Sequence, residues 1–318
     1  MNRYPRRHRA AASVVVLGLL AIAGNASGQA WVPSRGQGAV TLSFQRIHNT
    51  GHRLSNGYEF KVAASVNLSA YLETDYALTD RFSFSLGVPY VMSKYTDPNK
   101  PPLILPYVPG DQCHCWQTGF QDFGATARYN LIRAREGKFS LTPSATLGTP
   151  THDYVYRGES ALGRNLIEGA IAVDVGQRLD KISPNLSVEG RYSYAMVERV
   201  LDISTNRSNL QAQTTYLLWK RRLALRGFAS WQWTHGGIRF GNPTMPGPFE
   251  VNTPEKLDQH DRIMRDDFLH AGAGFSYAFP RMDVFGYYIS YVNGTQTHMG
   301  DAATIGISWP FELHRAAP

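Results

Sequence analysis

The chain has 318 residues, 43% of them hydrophobic, with 32 Lys and Arg against 25 Asp and Glu and a formal net charge of +7. Mean hydropathy is −0.30. After the first thirty residues no apolar run approaches the roughly 20 residues a membrane-spanning helix needs, which excludes a helical membrane protein. Length alone would allow two soluble domains.

The N-terminus reads as an export signal. Arg3, Arg6, Arg7 and Arg9 form a basic start, Ala10 to Gly24 an apolar run, and small residues follow at Ala26-Ser-Gly28 and Gly28-Gln-Ala30. Residues 1–28 are therefore predicted to be a secretory signal, with cleavage after residue 28 or instead after residue 30. Arg6-Arg7 fits twin-arginine export poorly. Removing residues 1–28 takes away four basic and no acidic residues, leaving 28 Lys and Arg against 25 Asp and Glu, a net charge of +3. Much of the apparent basicity is targeting.

Downstream the dominant period is two. Phe82-Ser-Phe-Ser-Leu-Gly-Val-Pro-Tyr90 alternates large apolar with small or polar residues, and the pattern predicts strands near 38–47, 59–77, 82–95, 119–132, 138–150, 165–179, 184–198, 206–218, 223–235, 265–279, 284–293 and 301–311. The joints at 78–81, 133–137, 180–183, 219–222 and 280–283 are tight. Those near 48–58, 96–118, 151–164, 199–205, 236–264 and 294–300 are mostly longer. Strict alternation of short and long joints is what a transmembrane β-barrel requires, with tight turns in the periplasm and long loops outside. The expected fold is all-β: a transmembrane antiparallel barrel of about twelve strands over 38–311, preceded by a periplasmic segment 29–37 and followed by a tail 312–318.

Parity assigns side chains to faces, because successive residues of a strand point to opposite sides. Leu68, Ala70, Leu72, Thr74 and Tyr76 are expected toward lipid, against Ser69, Tyr71, Glu73 and Asp75 toward the lumen. The same split places Phe123, Ala125, Ala127, Tyr129 and Leu131 opposite Asp122, Thr126, Arg128 and Asn130, and it recurs in 139–147 and 209–218. Tyr90, Tyr192, Tyr194, Trp231, Trp233, Tyr277, Phe279, Trp309 and Phe311 lie near strand ends on the apolar parity, as aromatic girdles do. Strand charges are expected on the polar parity.

The lumen candidates are Glu73, Asp75, Asp122, Glu168, Asp174 and Glu189 with Arg128, Arg178, Arg191 and Arg226, together with His270, which titrates near neutral pH when unperturbed. Mixed signs argue against strong ion selectivity, and pairing across the lumen is the structural alternative. Cys113-His114-Cys115 offers thiolate and imidazole ligands for zinc or copper, but lacks the paired spacing of structural zinc sites; an oxidising envelope favours disulfide chemistry, and an intraloop disulfide or two exposed thiols is the simpler expectation. No cofactor is expected. A lipid-facing Ser and His with a third polar group would make a phospholipase, yet no local signature fixes such a trio. Asp266-Asp267 with His270, or His260-Asp261, would suit a rim protease; solvated loop residues explain them more simply. No phosphate-binding glycine loop, metalloprotease motif or nucleic-acid patch is present.

Leu78-Thr-Asp-Arg-Phe-Ser-Phe-Ser-Leu-Gly-Val-Pro-Tyr90, Gly119-Phe-Gln-Asp-Phe-Gly-Ala-Thr-Ala-Arg-Tyr129 and Leu141-Thr-Pro-Ser-Ala-Thr-Leu-Gly-Thr-Pro-Thr151 resemble successive hairpins of the outer-membrane transporters named for the meta pathway of phenol degradation. The resemblance implies a channel for passive uptake or efflux of small hydrophobic or aromatic compounds in the bacterial outer membrane. Its partners would be outer-membrane lipid, a small solute and, during biogenesis, the barrel-assembly machinery, which would recognise the aromatic-ended strand Ala303 to Phe311. The alternatives are an outer-membrane hydrolase and a non-enzymatic surface or structural barrel. Segments 96–118 and 236–262, bearing Pro and Gly, are the expected covers of the pore.

Overall fold

The computed structural model describes residues 30–60, 64–96, 113–134, 139–239 and 253–313. The predicted signal 1–28, most of segment 96–118, residues 240–252 and nearly all of the tail lie outside them. The strands are β1 Gln37–Arg53, β2 Glu59–Phe60, β3 Ser65–Ala77, β4 Phe82–Tyr95, β5 Gln117–Phe120, β6 Asp122–Tyr129, β7 Ser140–Pro150, β8 Glu168–Arg178, β9 Leu186–Val197, β10 Thr205–Leu218, β11 Leu223–Gly236, β12 Asp267–Ala278, β13 Asp283–Thr295 and β14 Thr297–Glu312. Each long strand pairs antiparallel with its neighbours in sequence, and β14 returns to β1 from Gln37↔Glu312 to Arg53↔Thr297. The sheet has closed on itself, which removes both edges.

Twelve positions make up the wall, because β2 merely extends β1 as a short hairpin and β5 and β6 share one place beside β4. The break between β5 and β6 has a chemical cause. Pro89 accepts from Gln121 N–H at 3.0 Å, but proline has no N–H with which to return the bond, and the Gln121 carbonyl instead takes Thr151 N–H at 3.2 Å. The expected outer loop 294–300 is also absent. There β13 turns directly into β14 at Gln296, whose φ of 57° supplies the left-handed residue such a turn needs.

Burial inverts the soluble pattern. Ile171 is 60% and Ile305 57% exposed, whereas Asp174 is 1% and Thr142 0% exposed. The apolar parity therefore faces outward around the wall and the polar parity packs inside, as expected for strands 3, 6, 7 and 10 in particular. Small wall residues let interior aromatics lie flat. A Cβ at Gly87 would strike the Tyr71 ring, and one at Gly306 the Phe285 ring.

Candidate functional site: the lumen

At the end of the barrel that carries the tight turns, residues 30–36 run across the mouth. Gly36 N–H donates to the Ala77 carbonyl at 2.8 Å and Arg35 N–H to Asp80 at 2.9 Å, anchoring one side. On the far side the buried Ala30 carbonyl accepts from Ser140 at 2.7 Å, Thr142 at 2.8 Å and Asn130 at 3.3 Å. Beside this strap a cavity of about 680 Å³ is bounded by Trp31, Asp75, Arg222, Ser276, Asp283 and Pro310.

Deeper in the lumen, charges of opposite sign meet. Asp174 and Arg191 face each other in the β8–β9 ladder, and one guanidinium nitrogen reaches both carboxylate oxygens at 3.1 and 3.0 Å. Arg128 lies within electrostatic reach of Glu73, Asp75 and Asp174 and contacts Ser85 at 3.5 Å. Arg226 donates to Ser276 at 3.3 Å and faces Glu189, Asp283 and Tyr287. Glu189 accepts from Gln213 at 3.3 Å. His270 stacks near Phe268, with ring centroids 4.3 Å apart. Glu168 pairs with Arg207, a buried cation the sequence reading passed over. Arg178 stands apart from the group: it is largely exposed at the tight turn after β8 and bonds Asp180 at 3.0 Å. It belongs to the strand end, where parity no longer fixes an interior position.

At the opposite end two segments, 151–167 and 253–266, fold inward against the wall. Tyr154 donates to Asp122 on the wall, and Gln121 donates to the Leu162 carbonyl at 2.7 Å. The segments also grip each other, since Arg262 bonds the Asn165 carbonyl at 2.9 Å and lies over Tyr156, while Gly158 N–H donates to Asp261 at 3.2 Å. Ile238, Ile263 and Met264 are buried beneath, with Ile238 and Met264 bridged in parallel. At the centre Arg164 pairs with Asp266 at 3.4 Å, both almost wholly buried. Gln232 and Thr234 of β11 donate to the Asp266 carbonyl at 3.0 and 2.9 Å, fixing its backbone. Burial pushes the Asp266 carboxyl up from the carboxylate range, opposed mainly by Arg164, and pushes Arg164 down, opposed by Asp266 and Asp261.

His260 and Asp261 are not solvated loop residues, contrary to the sequence expectation; they are 0% and 1% exposed. His260 Nδ1 lies 2.7 Å from the Leu257 carbonyl, which can only accept, so that nitrogen carries a proton. Its Nε2 is 2.9 Å from Asp261 Oδ1. Burial raises the Asp261 carboxyl while His260 opposes the rise. Asp266 is buried too, and Asp267 bonds Arg265 at 2.6 Å. The local helix Pro254–Asp258 and helical turn His260–Ile263 carry these groups inward, which strand periodicity could not foretell.

One pair from the hydrolase alternative does come together. Ser208 Oγ lies 2.7 Å from His235 Nε2 on the outward face. Yet Ser208 is 1% exposed and contacts Tyr192 OH at 3.1 Å. Asn206, across from His235 in the ladder, is engaged by Val197 N–H and Tyr194 OH at 3.0 and 3.1 Å. A cross-strand diagonal of this kind is invisible without register. Elsewhere, Cys113 and Cys115 are joined by a disulfide, and the intervening His114 stacks on Tyr95. Among the described residues no group of three or more His, Cys, Asp or Glu is placed to hold a metal ion.

No family model and no curated protein matches the sequence. Among solved structures, an outer-membrane channel from Pseudomonas putida F1 superposes with a TM-score of 0.69 at 12% identity, covering 91% of this chain and 100% of its own. The β domain of the Bordetella autotransporter BrkA gives 0.48 at 12% identity, covering 87% and 100%, and a KdgM porin bound to oligogalacturonate 0.45 at 9%, covering 86% and 99%. At these identities the likeness is one of fold, and the first of the three carries it: the chain has the fold of an outer-membrane β-barrel.

Proposed function

We propose that this protein is a gated outer-membrane channel for small hydrophobic or aromatic compounds, reaching the membrane through cleavage of the segment 1–28 and insertion by the barrel-assembly machinery. The observation that carries the reading is the plug. Two loops occupy the outer lumen through side-chain and single backbone contacts, not through added strands, so they can withdraw while the wall stays hydrogen-bonded. Below them, charges of both signs are interleaved along the wall, and Ile47, Ile289 and Ala302 with Phe228 and Tyr287 form an apolar stretch beside them. Such a lining suits an uncharged, partly apolar solute better than an ion. The fold of the Pseudomonas putida channel supports the same reading.

Shortening 236–262 should raise permeability to small aromatic solutes in liposome swelling and single-channel recordings while heat-modifiable mobility is kept. An assembled barrel that passes nothing in either form, whose wild type cleaves lipid or peptide and whose His260 variant does not, would replace the channel by the hydrolase.

A further inference from the structure

The lipid-facing wall carries its own site. On the outward parity, charges interrupt the apolar belt in the β14–β1–β3–β4 quadrant, at Arg46, His48, Lys94 and Asp301. Register sets them in adjacent rows: Asp301, His48, Val66 and Lys94 align across the four strands, and the next outward row down is Ala303, Arg46, Leu68 and Met92. Below lies the row Ile305, Phe44, Ala70 and Tyr90. The two alanines are short where their neighbours are long, and the result is an apolar groove of about 540 Å³ with Arg46 at its upper end.

Height locates the groove in the outer leaflet. Eight steps along β1 separate Gly38, beside the periplasmic aromatics Tyr76 and Phe311, from Arg46. At ~3.3 Å per residue and a tilt of ~40°, that is roughly 20 Å of an apolar band about 25 Å tall. Arg46 therefore meets the head-group boundary while Phe44, Ala70 and Ile305 meet acyl chains. Arg46 is exposed, and no described residue forms an ion pair or hydrogen bond with it. Lys94 lies 5.9 Å from the Trp116 ring centroid, and no described residue forms an ion pair or hydrogen bond with its ammonium. Asp301 Oδ1 lies 3.7 Å from His48 Nδ1, in the row above Arg46.

The geometry points to a binding site for a phosphorylated, multi-acyl lipid of the outer leaflet, with phosphate on Arg46 and Lys94 and one acyl chain in the groove. A guanidinium offers phosphate a two-pronged hydrogen bond, and the apolar trough directly beneath demands a chain attached to that phosphate. The site lies on the outer wall and goes beyond the channel reading, since it holds whatever crosses the lumen.

Protein reconstituted in zwitterionic phospholipid nanodiscs should bind a bis-phosphorylated, hexa-acylated glucosamine disaccharide lipid, measured by native mass spectrometry. Arg46→Gln with Lys94→Gln should weaken binding about tenfold or more, as should removing the phosphates from the lipid. Ala70→Leu with Ala303→Leu fills the groove without altering charge and should weaken it as well, and Arg46→Lys should retain part of the affinity. Heat-modifiable mobility and conductance, unchanged throughout, separate this result from misfolding or channel failure. Equal affinity for the dephosphorylated lipid, no loss in the Gln variants, or displacement by inorganic phosphate alone would overturn the site.

Discussion

The plug stands or falls with Arg164 and Asp266. Both side chains are almost wholly buried and 3.4 Å apart, with Arg207 close enough to repel Arg164. Replacing Asp266 by Ala takes the nearest anion from Arg164 and leaves it Asp261 against the repulsion of Arg207; replacing Arg164 by Met takes the nearest cation from Asp266 and leaves it Arg207 with the neutral Gln232 and Thr297. Removing one partner of such a pair costs about 3–5 kcal/mol. If that cost falls on the closed plug and not on the wall, each single change shifts the closed-to-open ratio by roughly a hundredfold to a few thousandfold. Arg164→Met combined with Asp266→Leu removes the charges together and should recover much of the closure. The assay is open-state occupancy in single-channel recordings, with heat-modifiable mobility confirming assembly. The pH effect has a definite sign. The Asp266 and Asp261 carboxyls are raised in the closed state, so closed protein holds their protons more tightly than open protein, and closure gains stability as pH falls through the raised values toward about 4. Mild acid should thus lower open occupancy, and Asp266→Asn should blunt that response. Single variants with unchanged occupancy, a double variant more open than either single, or opening in mild acid would refute the account.

Other consequences are simpler to read. Ala145 faces lipid, and Thr146 meets Thr126 inside at 3.0 Å, so Ala145→Arg should reduce assembled barrel on heat-modifiable gels far more than Thr146→Arg, by about 2–4 kcal/mol if mid-depth. Equal tolerance would reject the register. Ser208→Ala should leave purified protein unchanged in a fluorogenic phospholipid-hydrolysis assay, and a loss of measurable turnover would turn the Ser208–His235 contact into a catalytic pair. Changing Cys113 and Cys115 to Ser should preserve both assembly and solute passage in liposome swelling. Gly87→Val should lower the thermal midpoint of the heat-modifiability shift, because the new Cβ meets Tyr71; an unchanged midpoint would mean that the ring has room to move.

The wall was legible because barrel architecture ties every strand to one period. Once Glu73 and Asp75 are inward, Leu72 and Thr74 must be outward, and the antiparallel register passes that assignment to Val88 and Leu86 in β4. Tight turns and long joints then fix the ends. Local chemistry set the departures: Pro89 interrupts the ladder without changing the number of positions in the wall, and Gln296 closes a turn where a loop was expected. Arg46 and Lys94 break the rule that strand charges face inward, and they do so at the outer edge of the belt, where the cost of a lipid-facing charge falls to about 0–1 kcal/mol.

The interior is a different problem, because nothing periodic connects Arg164 to Asp266 or Ala30 to Thr142. Those contacts join segments a hundred or more residues apart through loops whose path depends on the space the wall leaves. A twelve-strand wall encloses too much volume for its own inward side chains to fill and too little for an open aqueous pore to be its necessary state. Something must enter. The polar and charged residues that read as solvated loop in 151–167 and 253–266 are the ones able to satisfy a polar lumen, which is why His260, Asp261 and Asp266 are buried and not at the rim. Apolar loops would have found no partners among Asp122, Arg207, Gln232 and Thr234. The same polarity that makes these segments look exterior in the sequence lets them close the channel, and because they hold by side-chain pairs, breaking one pair can release them without disturbing the ladder around them.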